Sequence, residues 1–198
     1  MEQIPKIEQE QVLENYFEKA DIVVLAENFH GTHDEEIICV LDKHSDQIRG
    51  LFLELSVSYQ SSVDLYMEKG EIDQSLERYF LGAQKESKDI RGILKMLDKL
   101  KELGKPVICI DSSKVAIDEY KTKSEHGYYF LRGESRDEDM SDNINNYYQE
   151  NPGKYFVIVG GAHVEDGKHF RTGKDTLGTR LKNNLEEKYL TVYLKSKE

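Results

Sequence analysis

The sequence predicts an α/β fold with a mostly parallel sheet of about five strands and helices on both faces. Short apolar runs rich in β-branched residues recur along the chain, and segments with helical spacing of their apolar residues separate them. This alternation is typical of parallel sheets covered by helices. The chain has 198 residues and no internal repeat, low-complexity tract or linker, so we expect one domain over residues 1–198.

The strands are predicted from the apolar runs and the helices from apolar spacing. The four strong strands and a weaker fifth are Ile22–Leu25, Leu51–Leu55, Pro106–Asp111, Tyr155–Gly160 and Leu190–Leu194. The predicted helices are Glu8–Lys19, Asp34–Asp46, Gln60–Lys69, Ile72–Phe80, Ile90–Leu103, Ser135–Glu150 and Thr176–Lys188. The helix that ends at Leu103 has a clear stop, because Gly104 accepts a left-handed cap and Pro106 cannot continue a helix.

Three polar segments interrupt this alternation. Lys121–Glu134 and Glu165–Lys174 are predicted loops over the edge of the sheet and candidates for a lid. Lys69–Lys88 is helical in pattern and highly charged, and we interpret it as a solvated excursion.

The composition disfavours some classes of partner. With 38 acidic and 27 basic residues the formal charge is −11, which works against binding a nucleic-acid backbone. No apolar stretch approaches the length of a membrane span, and the N-terminal residues show neither a signal peptide nor a lipidation motif. We therefore expect a cytoplasmic protein without a nucleic-acid partner. Cys39 and Cys109 lie among apolar neighbours, and both are predicted to be buried thiols without a disulfide.

Acidic or imidazole side chains lie at or just after the carboxyl end of each of the four strong strands. They are Glu27 with His30, Glu54, Asp111, and His163 after a pair of glycines. Parallel strands point the same way, so we expect these groups to meet at the carboxyl edge of the sheet, where open α/β proteins bind ligands.

Each candidate also has a purely structural interpretation. Glu54 lies within an apolar run, where a carboxylate is costly to bury unless it is paired, and this favours a functional role. Glu27 can instead cap the next helix, and Asp111 can be an N-cap within a turn. His30 and His163 can be turn histidines bonded to backbone.

Two further residues are less clear from the local pattern. His33 begins the next helix, and it is either a third imidazole of the site or a solvent-facing residue. Arg136 is surrounded by acidic residues, and this local composition predicts a solvent-exposed residue at the start of a helix.

Taken together, four motifs resemble the superfamily of erythromycin esterases, ChaN-type haem-uptake proteins and TraB/Tiki proteins. The motifs are Glu27-x-x-His30-Gly31-Thr32, Leu53-Glu54, Arg136-Asp137-x-x-Met140 and Gly160-x-x-His163. Ala26 departs from the family's usual glycine, and His33 stands where the esterase branch tends to have arginine, which disfavours macrolide hydrolysis. The esterases are longer, so this chain resembles a minimal core.

The resemblance implies a site made of Glu27, His30, Glu54 and His163, with Arg136 in support. In such a site a histidine takes a proton from water, a carboxylate orients the imidazole, and a second histidine or Arg136 stabilises an oxyanion. A serine nucleophile is disfavoured because the chain contains no Gly-x-Ser-x-Gly motif. The expected function is a hydrolase that cleaves an ester, lactone or amide of a small-molecule or peptide substrate.

Three alternatives remain open at this level. Glu27, His30, Glu54 and His163, with His33 as a further donor, can hold Mn²⁺, Co²⁺ or Zn²⁺ and so activate water, as the Tiki branch is thought to do. A non-catalytic protein of the ChaN type would bind haem or a metal through histidine or tyrosine. A toxin-related domain is the third alternative, because related folds occur within larger bacterial toxins.

Overall fold

A computed structural model describes residues 19–27, 33–85, 90–113, 128–164, 167–168 and 174–194. Within this part of the chain, five strands form one sheet in which every paired strand is parallel. The strands are β1 (Ile22–Glu27), β2 (Ile48–Ser56), β3 (Val107–Asp111), β4 (Lys154–Gly160) and β5 (Tyr189–Tyr193). Their order is β3-β2-β4-β1-β5, so the carboxyl ends of all of them lie at one edge.

The helices connect these strands in the predicted alternation. Those in the described ranges are α1 (Asp34–Lys43), α2 (Gln60–Lys69), α3 (Gln74–Lys85), α4 (Ile90–Glu102), α5 (Tyr128–Glu150) and α6 (Leu177–Leu185). Short 3-10 turns are present at Val57–Tyr59, Gly161–His163 and Glu186–Lys188. None of the described helices is long and apolar enough to cross a membrane.

Helices cover both faces of the sheet. Successive side chains of a strand point to opposite faces, and alternate residues such as Leu25 and Leu53 pack against α1, α2, α3 and α4. The residues that alternate with them along the strands, such as Val24 and Phe52, lie on the opposite face and pack against α5 and α6. Burial on both sides explains why these strands are nearly continuous apolar runs. The predicted fold class is confirmed.

Three sequence predictions are wrong in detail. The segment Lys69–Lys88 is not simply solvated, because α3 buries Leu76 in the core through the apolar residues on one of its faces. Part of the predicted loop Lys121–Glu134 is helical, since α5 begins at Tyr128; a glycine such as Gly133 weakens a helix by about 1 kcal/mol but does not end it. Cys39 is exposed, on the outer side of α1, whereas Cys109 is buried as predicted, and both thiols are free.

Other predictions concern residues outside the described ranges. They include most of the predicted helix Glu8–Lys19, most of the predicted loop Glu165–Lys174 and the segment 28–32, which contains His30.

Candidate active site

The carboxyl edge of the sheet brings several of the predicted site residues together. Glu27 and Asp111 end their strands, Glu54 lies near the end of β2, and His163 ends the 3-10 turn that follows β4. Glu54 is two residues after Phe52, so it points to the face covered by α5, which carries Arg136. The β2–β3 register shifts between Leu53 and Ser56, an irregularity of the kind that often re-aims side chains beside active sites.

Arg136 joins two of the strand-end carboxylates. Its Nη2 donates to Glu54 Oε1 at 2.6 Å and to Asp111 Oδ2 at 2.7 Å, and its Nε donates to Asp111 Oδ1 at 2.9 Å. Burial lowers the pKa of Arg136, but the charges of Glu54 and Asp111 outweigh this and raise it, so the guanidinium is cationic. Arg136 therefore ties the ends of β2 and β3 to α5.

Glu54 is also held by the turn after β4. Its Oε2 accepts a hydrogen bond from the backbone N–H of Gly160 at 2.7 Å, and its Oε1 lies 3.4 Å from His163 Nε2. The carboxylate is only 5% exposed. A buried carboxylate is stable in this position because both oxygens have charged or N–H partners.

His163 lies between two carboxylates. Its Nδ1 is 2.6 Å from Oδ1 of Asp137, the residue after Arg136 on α5, and its Nε2 faces Glu54. Burial lowers the pKa of His163, but the charge of Glu54 and the hydrogen bonds with Asp137 and Glu54 outweigh it and raise the pKa to about 10. At neutral pH this side chain is an imidazolium.

Glu27 belongs to a second group of contacts at the same edge. It is fully buried, and its Oε1 accepts the backbone N–H of His33 at 3.3 Å and lies 3.6 Å from His33 Nδ1. His33 is buried rather than solvent-facing. The two groups are linked by a small cavity, which Glu27 and Glu54 both line together with Leu53, Leu55, Tyr79, Ile93 and Met96.

The structure thus brings together Glu54, Arg136 and His163, and it places Glu27, which contacts His33, on the cavity that Glu54 also lines. Asp111 pairs with Arg136, a contact that the predicted role as an N-cap does not explain. Asp111 also accepts a hydrogen bond from the N–H of Ser112, as a turn residue would. Sequence reasoning did not select Asp137 as a site residue. Its position directly after Arg136, three residues before the buried Met140, is the signal that could have found it.

Among the proposed metal donors that the structure describes, Glu54 is poorly suited to a divalent cation. Its Oε1 accepts a hydrogen bond from Arg136 at 2.6 Å, and the guanidinium charge repels a metal at this oxygen. Among the described residues no cluster of three or more His, Cys, Asp or Glu side chains is arranged to hold a metal ion.

Comparison with known proteins reveals likeness in fold but not in sequence. No protein-family model and no curated protein matches the chain. An erythromycin esterase EreC mutant in its open conformation matches with a TM-score of 0.66 at 13% identity, over 96% of this chain and 73% of that one. ChaN of Campylobacter jejuni, described with cofacial haem, matches with a TM-score of 0.55 at 13% identity, over 96% and 86%.

A toxin structure shares the same core. RRSP, a MARTX toxin effector domain from Vibrio vulnificus, matches with a TM-score of 0.60 at 16% identity, over 93% of this chain. The chain spans only 35% of that structure and 37% of a second one described as a bacterial protein toxin. The fold is therefore an erythromycin esterase/ChaN-like α/β core, as the motifs predicted.

Proposed function

We propose that this chain is a hydrolase that activates water at the carboxyl edge of its sheet to cleave an ester, lactone or amide. One observation carries the proposal: Glu54, a carboxylate that is almost completely buried, is bonded to both Arg136 and the Gly160 N–H and faces His163. Burying a charged side chain without a partner costs free energy. A cluster of buried charged side chains at the ends of strands is typical of active sites.

We assign the chemical roles in the proposed site as follows. His163 is protonated at neutral pH, so it acts as an acid or as a stabiliser of a developing oxyanion, rather than as the base. His30 is the proposed general base. It follows β1 in the sequence and lies outside the described residues. Arg136 is a positioning residue, since its Nε and Nη2 are bonded to carboxylates.

Water is the proposed nucleophile. The sequence has no Gly-x-Ser-x-Gly motif, and an imidazole that acts as general base activates water without a covalent intermediate. The cavity that Glu27 and Glu54 share has apolar walls from residues such as Leu53 and Ile93.

A panel of chromogenic esters, lactones and peptide amides tests the proposal. We expect the wild type to hydrolyse at least one class, and Glu54→Gln and His30→Ala to lower kcat by roughly 100-fold or more, as loss of an acid–base group does. Glu68→Gln, which removes a carboxylate from the exposed side of α2, serves as the matched control and retains wild-type turnover. Hydrolysis that survives in both Glu54→Gln and His30→Ala contradicts the proposal.

Haem binding is the second candidate, because the chain also matches the fold of ChaN, which is described with cofacial haem, over 86% of that chain. Titration with haem followed by absorbance distinguishes the two candidates: a stoichiometric Soret band without turnover supports a binding protein, and turnover without the band supports the hydrolase.

A further inference from the structure

Asp137 is a buried acid on a helix surface that is otherwise rich in exposed acids. Its side chain is 4% exposed, whereas that of its neighbour Glu138 is 56% exposed. A carboxylate at so buried a position is retained when it has a charged or hydrogen-bonded partner. The partner that the structure gives it is Nδ1 of His163, at 2.6 Å.

The contact determines which partner each ring nitrogen of His163 has. An ionised carboxylate can only accept hydrogen bonds, so Nδ1 must be the donor in this pair. The Nε2 atom of the same ring is then directed toward Glu54 Oε1, at 3.4 Å, on the side of the strand ends. Asp137 thereby fixes the orientation of the imidazole ring, with Nε2 on the side of the strand ends.

The position of Asp137 on α5 makes this orientation rigid. Arg136 precedes it and is bonded to Glu54 and Asp111, and Met140, one turn later, is fully buried against the sheet. Two consecutive residues of α5 therefore hold the two members of one pair: Arg136 bonds to Glu54, and Asp137 contacts His163. Rigid elements position functional groups more accurately than loops do.

We infer that Asp137 is the positioning residue of the active site, which holds His163 with Nδ1–H bonded to its carboxylate and Nε2 presented to the substrate. This inference rests on the proposed hydrolase function for its kinetic consequence, but not for its spectroscopic one. Asp137 does not touch the reacting atoms and acts through His163.

The test compares Asp137→Asn with Glu138→Gln in the full chain. Each variant removes one carboxylate charge from the same helix, one from a buried and one from an exposed position. We expect Asp137→Asn to lower kcat by about 100-fold while KM changes less than threefold, because orientation and proton transfer are impaired but substrate binding is not. Glu138→Gln is expected to keep the wild-type kcat and KM.

Nitrogen NMR of protein labelled with ¹⁵N-histidine gives an independent reading. The His163 signals are assigned by their loss in His163→Gln; they should show a proton on Nδ1 in the wild type, shift in Asp137→Asn and stay unchanged in Glu138→Gln. Any of three results overturns the inference. They are a wild-type Nδ1 without a proton, a His163 spectrum that is unchanged in Asp137→Asn, and a kcat that is unchanged in that variant.

Failure of the proposed function gives a different pattern. If the wild type hydrolyses nothing, the hydrolase proposal fails, and the NMR comparison alone decides whether Asp137 orients His163. If Asp137→Asn does not fold, the wild-type Nδ1 signal decides the same question.

Discussion

At the scale of single residues, the site depends on one guanidinium shared by two carboxylates. Arg136 contacts Glu54 and Asp111 through three hydrogen bonds no longer than 2.9 Å. Neither carboxylate side chain is more than 5% exposed. Such an arrangement adds little net stability while it is complete, but it becomes costly when one member is removed.

Arg136→Ala should therefore destabilise the protein strongly. The expected loss in the free energy of unfolding is about 3–5 kcal/mol, because the charges of Glu54 and Asp111 lose their common partner. Urea denaturation measures it. The control is Arg180→Ala, whose ion pair with Glu138 spans 3.9 Å and should contribute about 1 kcal/mol or less. Equal losses for the two variants would show that the buried network is not maintained in solution.

The raised pKa of His163 predicts how stability changes with pH. The folded-state pKa, about 10, lies above the ordinary value of 6.5, so the stabilisation from the charged imidazole is complete below about pH 6.5. It is lost as the pH rises toward 10. The difference in unfolding free energy between the wild type and His163→Gln should accordingly shrink between pH 6 and pH 10. A difference that is constant or grows over this range contradicts the predicted charge state.

At the scale of elements, a side chain covers one edge strand of the sheet. β3 is the first strand in the sheet order, and Gln60 at the start of α2 bonds to it as a neighbouring strand would. Its Oε1 accepts the N–H of Cys109 at 2.7 Å, and its Nε2 donates to the carbonyl of Val107 at 2.9 Å. Gln60 thus satisfies edge groups that would otherwise be a template for another strand.

Removing the Gln60 side chain should cost stability. Gln60→Ala leaves the Cys109 N–H and the Val107 carbonyl without these bonds, and we expect a loss of about 1–3 kcal/mol in unfolding free energy. Gln74→Ala, at an exposed position at the start of α3, is the control and should change it by less than about 0.5 kcal/mol. Matching urea midpoints for the two variants would refute this role of Gln60.

Helix α3 provides a second test at this scale. Leu76 is fully buried, whereas Leu81 on the same helix is 56% exposed. Leu76→Ala should lower the unfolding free energy by about 2–5 kcal/mol and Leu81→Ala by much less, because only the former leaves a cavity. Thermal and urea denaturation check this. A small effect at Leu76 would restore the interpretation of this segment as a solvated excursion.

At the scale of the whole molecule, local pattern predicted the architecture but not all of the bounds. The alternating apolar runs and helical segments were sufficient for the parallel sheet, since burial on both faces leaves a strong apolar signal. The start of β2 was missed because Arg49 and Gly50 interrupt that signal, although Arg49 lies at the surface and donates to the Pro152 carbonyl.

Residues of the candidate site were predictable from two signals in the sequence. Glu54 is a charge within an apolar strand, and His163 follows a pair of glycines after another strand. Asp137 was missed because Asp137, Glu138 and Asp139 look alike in sequence, and only the packing of α5 on the sheet buries the first of them. Burial of a helical residue is a tertiary property that adjacent like charges conceal.

We propose that His30 activates water without a divalent metal, and that the ion pairs of Glu54, Arg136 and His163 position and stabilise the reacting groups. The most direct test is the initial rate of hydrolysis by chelated wild-type protein, measured alone and after addition of Mn²⁺, Co²⁺ or Zn²⁺. We expect turnover to persist after chelation, to be unchanged by the added ions and to be lost in Glu54→Gln. Turnover that disappears on chelation and returns with one of these ions would contradict it.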